Sequence, residues 1–174
     1  KEGDGKTPKG IFKIGNLYFR KNRIRKPSTL LKCLEIKNSM GWCNDVNFPK
    51  KYNKLLKIDK KIKHEKLKRK DHKYNLLIPI KFNFKKPITG KGSCIFIHLT
   101  KDYKPTAGCI ALKEKDFLIM IKLINKNIPR RSAQTRTNTI AILDLICRLS
   151  SKVAEVNFEA MKSKIIYATV PVIS

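Results

Sequence analysis

His98 closes the strand-like run Gly92-Ser93-Cys94-Ile95-Phe96-Ile97-His98, and Cys109 stands eleven residues later in the passage Pro105-Thr106-Ala107-Gly108-Cys109-Ile110-Ala111-Leu112. No other pair in the chain so readily makes a nucleophile. A thiol of ordinary pKa is only a few per cent thiolate at neutral pH, and an imidazole at hydrogen-bond distance can take its proton and leave an ion pair ready to attack a carbonyl. Gly108 lets the chain turn tightly and brings its own N–H and that of Cys109 towards the place where an oxyanion would form. One such donor typically contributes about 3 kcal/mol to a transition state. Thr106 can hydrogen-bond within the loop or to substrate amides.

Each of these residues has a plainer reading beside the chemical one. Cys109 could be a packed hydrophobe, although the flanking glycine and threonine and the upstream histidine argue for chemistry. His98 alternates with apolar residues and could be a satisfied core histidine; alternation also puts Phe96 and His98 on one face, beside the returning strand. His72, in Asp71-His72-Lys73-Tyr74, orients substrate or belongs to a surface polar cluster. Trp42, the only tryptophan, is explained by packing. The five cysteines, at 33, 43, 94, 109 and 147, are odd in number and lack Cys-x-x-Cys spacing, which argues against a disulfide scaffold or a zinc site. Cys33, Cys94 and Cys147 read as small buried hydrophobes. A zinc ion on His72, His98, Cys94 and Cys109 has no supporting spacing, so neither metal nor cofactor is expected.

The elements that must position the pair read as mostly β. Gly10–Ile14 and Leu17–Arg23 are expected strands around the turn at Gly15-Asn16, and Leu76–Asn83 is a run of strand formers that Pro79 pushes towards an edge or a bulge. Cys94–Leu99 follows the flexible Gly90-Lys91-Gly92, which returns the chain antiparallel, and Cys109–Leu112 forms a short strand after the loop Thr100–Ala107. Phe117, Ile121, Ile124 and Ile128 recur at helical spacing, so Lys113–Asn127 is an expected amphipathic helix, with Glu114 and Asp116 in its first turn, packed across the sheet that carries His98 and Cys109. Lys50–Lys73 shows no clean period and reads as a long solvated excursion. Thr139–Lys164 is helical in pattern and Ile165–Ile173 strand-like.

Forty Lys and Arg against thirteen Asp and Glu give a net charge of +27 over 174 residues. Such a charge suggests nucleic acid or an anionic surface. The basic residues are nevertheless overwhelmingly lysine rather than the forked guanidinium that reads bases and phosphates, and Lys, Ile and Asn are over-used together, so biased base composition explains the charge and no specific nucleic-acid partner is expected. Residues 1–131 hold 35 basic and 10 acidic residues, a net of +25, whereas 132–174 hold 5 and 3, a net of +2. The expected division is therefore a catalytic domain over 1–131 and an appended segment of unknown role over 132–174. No run of eighteen apolar residues exists to span a membrane. The chain opens within a motif-like segment, so a missing N-terminus is expected and oligomeric state is unreadable.

The segments Lys1-Glu2-Gly3-Asp4-Gly5-Lys6-Thr7-Pro8-Lys9-Gly10-Ile11-Phe12, Gly41-Trp42-Cys43-Asn44-Asp45, Tyr52-Asn53, Asp71-His72-Lys73-Tyr74, Gly90-Lys91-Gly92-Ser93, Ile95-Phe96-Ile97-His98 and Pro105-Thr106-Ala107-Gly108-Cys109 together resemble the L,D-transpeptidase catalytic domain of the YkuD type, over roughly residues 1–128. The resemblance implies a mostly β (α+β) fold, a β-sandwich or barrel with one amphipathic helix packed on the sheet. It also implies Cys109 as the nucleophile of a Ser/Thr-x-Gly-Cys motif, His98 as its general base, and the backbone of Gly108 and Cys109 as oxyanion donors. Thr106, His72 and Tyr74 would touch substrate, and the Thr7-Pro8 turn would have a structural role. The implied partners are peptidoglycan stem peptides: the thiolate attacks at the L-centre of diaminopimelate, expels the terminal D-alanine and holds an acyl-enzyme for an amine acceptor. That substrate implies a periplasmic or cell-envelope location.

Two positions depart from the pattern. Ala111 stands where most members of the wider family carry Arg or Asn, and Ala107 where many carry His before Gly-Cys, so a basic anchor for a carboxylate or backbone group is missing. The alternatives are an L,D-carboxypeptidase, with water as acceptor, another cysteine amidohydrolase, and a non-enzymatic basic module that binds nucleic acid or anionic glycan.

Overall fold

The computed structural model describes residues 1–126 and 139–141. Apolar runs cut short by lysines and turn residues give three- and four-residue strands: β1 Ile11–Lys13, β2 Leu17–Phe19, β3 Cys33–Glu35, β4 Met40–Cys43, β5 Leu55–Lys57, β6 His64–Lys66, β7 Leu76–Pro79, β8 Phe96–Leu99 and β9 Ile110–Leu112. Helix α1, Glu114–Lys126, follows β9, and β10, Thr139–Ala141, pairs antiparallel with β1. A five-stranded sheet runs in the order β3-β2-β7-β8-β9, and a three-stranded antiparallel sheet in the order β5-β4-β6. The described residues thus form the mostly β arrangement with a helix packed on the sheet that the sequence predicts.

The five-stranded sheet is covered on both faces. Ile97, Leu99, Ile110 and Leu112 point to one side, where Phe117, Met120 and Ile121 of α1 pack with Leu17, Leu76 and Ile78. Phe96 points to the other, against Tyr18, Trp42, Leu67, Tyr74 and Leu77. Helix α1 begins within one residue of the predicted start; Glu114 and Asp116 in its first turn complement the helix dipole.

Three readings of the sequence are corrected. The stretch Lys50–Lys73 is not a solvated excursion: it supplies β5 and β6, which flank β4 in register Trp42 to Leu55 and Trp42 to Glu65. Each is only three residues long with lysines outward, so no alternation is long enough to see. Pro79 lies at neither an edge nor a bulge, because β7 is the central strand of its sheet. Proline is tolerated there because it is the last residue of the strand and offers only its carbonyl, which accepts from the Gly15 amide at 2.8 Å. Finally, Thr139–Ala141 is a strand rather than the start of a helix. The rest of the helical pattern to Lys164, and Ile165–Ile173, lie outside the described residues.

Asn53 joins the two sheets. Its Oδ1 accepts from Trp42 Nε1 at 3.0 Å and from the Cys94 amide at 3.2 Å, while Nδ2 donates to the carbonyls of Phe82 at 3.0 Å and Asn83 at 2.8 Å. The side chain is buried and its φ of +52° lies in the left-handed region that asparagine tolerates. Asn53→Ala strands four polar groups at once, so a loss of about 3 kcal/mol in urea unfolding is expected. A loss below about 1 kcal/mol would mean that water replaces the hub.

Candidate active site

Strands β8 and β9 run parallel, with Ile97 opposite Ile110 and His98 opposite Ala111. Side chains alternate across a strand, so His98, Phe96, Ala111 and Cys109 lie on one face of the sheet, opposite α1. Cys109 follows from the register as the neighbour of Phe96, and it stands diagonally from His98. Diagonal neighbours on one sheet face stand within reach of aromatic and other long side chains. The helix therefore buttresses the back of the sheet that carries the pair, as the sequence predicts, while the face of the pair itself packs with Phe96 and Tyr74.

The loop between the strands is tied at several points. Thr106 Oγ1 donates to the Cys109 carbonyl at 2.6 Å, Tyr103 donates its hydroxyl to Asp116 of α1 at 3.0 Å, and Gly108 adopts φ +102°. A Cβ at Gly108 would lie 2.7 Å from the Lys6 carbonyl oxygen, so the N-terminal Lys6-Thr7-Pro8 turn packs directly on the backbone before the cysteine. The Thr106 hydroxyl is engaged in shaping this loop.

His98 is buried, and its Nδ1 lies 2.9 Å from the Leu99 carbonyl. A carbonyl only accepts, so the proton sits on Nδ1 and Nε2 is left with a lone pair to accept one. Burial holds the imidazole below its ordinary pKa; the Leu99 carbonyl opposes the shift, Lys73 and Arg69 add to it, and Asp71 opposes it. Cys109 is half-buried. Its Sγ donates to the Cys94 carbonyl at 3.3 Å. Burial pushes this thiol up to about 11, with the Phe96 amide pulling it down and the Glu65 carboxylate adding to the rise. Cys94 itself has φ +55°, which aims its carbonyl at the thiol while Asn53 holds its amide.

Burial thus disfavours the charged form of both groups. Alkylation of Cys109 by iodoacetamide, read peptide by peptide, is expected to rise about tenfold per pH unit between pH 7 and 10. A plateau across pH 6–8 would indicate a standing thiolate instead.

Tyr74, buried, completes the face: its ring meets His98 edge-on at 5.5 Å and Phe96 at 5.9 Å between centroids. Burial, and then the nearby Cys109 and Glu65, raise its phenol pKa well above the ordinary value. His72 precedes it by two residues and is half-buried, with an Nε2 that has no hydrogen-bond partner. Ala111 lies level with His98, so the position after the cysteine that lacks a basic side chain faces the same side as the imidazole. Glu65 and Arg69 also reach this cluster, and sequence reasoning missed both. The one available signal was that Arg69 is the single arginine between Lys50 and Lys73. Among the described residues no group of three His, Cys, Asp or Glu side chains could hold a metal ion.

The fold is a mostly β domain with a cysteine and a histidine on one sheet face. The family model described as the YkuD L,D-transpeptidase catalytic domain matches residues 1–130, and the chain belongs to that family. Membership supports L,D-transpeptidase-type activity and peptidoglycan-type substrates. No curated protein and no solved structure matches the chain.

Proposed function

We propose that the protein is a cysteine-dependent L,D-transpeptidase acting on peptidoglycan stem peptides, with Cys109 as nucleophile and His98 as general base. The observation that carries this reading is the imidazole tautomer: Nδ1 is committed to the Leu99 carbonyl, which leaves Nε2 to accept a proton on the face shared with Cys109. In the proposed reaction Nε2 takes the thiol proton as Sγ bonds to the carbonyl carbon at the L-centre of diaminopimelate. The N–H groups of Gly108 and Cys109 receive the oxyanion. Collapse breaks the amide bond, and the departing D-alanine amine takes the proton from His98. An acceptor amine then attacks the thioester, gives its proton to His98, and the thiol is restored.

His72 and Tyr74 line the substrate side in this reading, and Thr106 acts through the loop it closes. Catalysis is assigned to 1–131 and an appended role to 132–174, of which 139–141 adds a strand to β1. The substrate places the work in the cell envelope, where a charge of +27 suits anionic wall polymers. Among the described residues no helix is long and apolar enough to cross a membrane.

Incubation with tetrapeptide muropeptides followed by mass spectrometry is the test. The expected result is loss of the terminal D-alanine with a cross-linked dimer; a trimmed tripeptide alone would make water the acceptor. Tight, steeply salt-dependent binding to polyanions with the muropeptides unchanged would overturn the enzymatic reading in favour of a basic binding module.

A further inference from the structure

Arg69 makes the most of a side chain that its lysine neighbours could not replace. Nε donates to both carboxylate oxygens of Asp71 at 3.0 and 3.1 Å, Nη2 donates to Asp71 at 2.7 Å, and Nη1 to Glu65 at 2.8 Å. Only a planar fork meets two carboxylates in this way. The loop beneath is itself pinned. Arg20 donates to the Arg69 carbonyl at 2.7 Å, and Arg23 to the carbonyls of Lys70 at 2.8 Å and Asp71 at 2.7 Å. The clamped guanidinium lies 5.0 Å from the centre of the Tyr74 ring, and that ring also meets Phe96 at 5.9 Å and His98 at 5.5 Å, the latter at an interplanar angle of 63°.

Resting on the assignment of His98 as the base, we propose that Arg69 is a positioning residue for it: held by Glu65 and Asp71, its guanidinium pins Tyr74, and the Tyr74 ring in turn fixes the imidazole beside Cys109. Arg69 also contributes charge. The groups that act on His98 are Lys73 and Arg69, which disfavour the imidazolium, and Asp71 and the Leu99 carbonyl, which favour it. Tyr74 and Cys109 share the face and stay neutral near pH 7, because burial raises the pKa of both.

The two halves of the ion pair should therefore act on His98 in opposite senses, and this separates positioning from mere support. The experiment is an NMR titration of the His98 ring in the full chain, assigned by comparison with His98→Gln. Arg69→Gln is expected to raise the apparent pKa of His98 and Asp71→Asn to lower it. A purely structural ion pair would loosen and hydrate the site in both variants, moving both values in the same direction, and that outcome overturns the proposal. Should Arg69→Gln fail to fold, Asp71→Asn decides alone: a lowered value supports the proposal and a raised one contradicts it. Arg69→Lys keeps the charge without the fork, so it should hold the His98 titration near wild type while slowing acylation of Cys109 by a carbapenem about tenfold. An unchanged acylation rate in that variant would contradict the pinning of Tyr74. If wild-type protein forms no adduct at all, the assignment of His98 and Cys109 fails; if the adduct forms and depends on His98 while the two titrations do not diverge, only the role of Arg69 fails.

Discussion

Cys109→Ala is expected to abolish D-alanine release, by about 10⁴-fold or more, while unfolding as the wild type does to within about 1 kcal/mol. The two halves of that expectation rest on different observations. The sulfur is half-buried and donates to the Cys94 carbonyl, so removal of the thiol empties little of the core. In the proposed reaction this sulfur is the attacking atom on the face that His98 occupies with its accepting nitrogen, so its loss removes the nucleophile. His98→Gln should cost nearly as much, and the double variant hardly more than either single one, because nucleophile and base act as a unit. Retention of more than about a tenth of the wild-type rate by Cys109→Ala would move the chemistry elsewhere.

Gly108→Ala is expected to damage both fold and function. The φ of +102° is one that side chains with a Cβ rarely adopt, and the new methyl would meet the Lys6 carbonyl oxygen at 2.7 Å. Backbone strain of about 1–3 kcal/mol and overpacking of a similar size add to a loss of about 4 kcal/mol. Relief would come from moving the N-terminal turn or from rotating the Gly108 and Cys109 amides, and the second route misdirects the proposed oxyanion donors. A loss of about 10²-fold in acylation by the folded fraction is therefore expected beside the lower unfolding midpoint. A variant that keeps wild-type stability in urea would show that the turn yields freely.

How much of this was legible in the residues varies along the chain. That a strand ending in His98 lies beside the one entered through Gly108-Cys109 was readable from local signals, whereas their parallel register was not, since so short a loop ordinarily returns a strand antiparallel. Helix α1 was readable because Phe117 and Ile121 repeat at its period over thirteen residues. The second sheet was not readable: β5 and β6 have no apolar alternation, and what makes them strands is β4, whose Trp42 lies across from Leu55 and Glu65. That pairing is tertiary, and with it went Glu65 and Arg69, whose importance depends on Tyr74 being brought near. The effect of burial was also hidden, since residue types alone do not show that it raises the Cys109 thiol and lowers the His98 imidazole.

The proposal that one imidazole deprotonates one sulfur during attack is tested most directly by incubating the protein with a carbapenem and weighing it intact, with peptide mapping of the product. A single covalent adduct on Cys109 is predicted, formed about 10³-fold more slowly in His98→Gln. Absence of an adduct, an adduct on Cys33, Cys43, Cys94 or Cys147, or an equal rate in His98→Gln would contradict it.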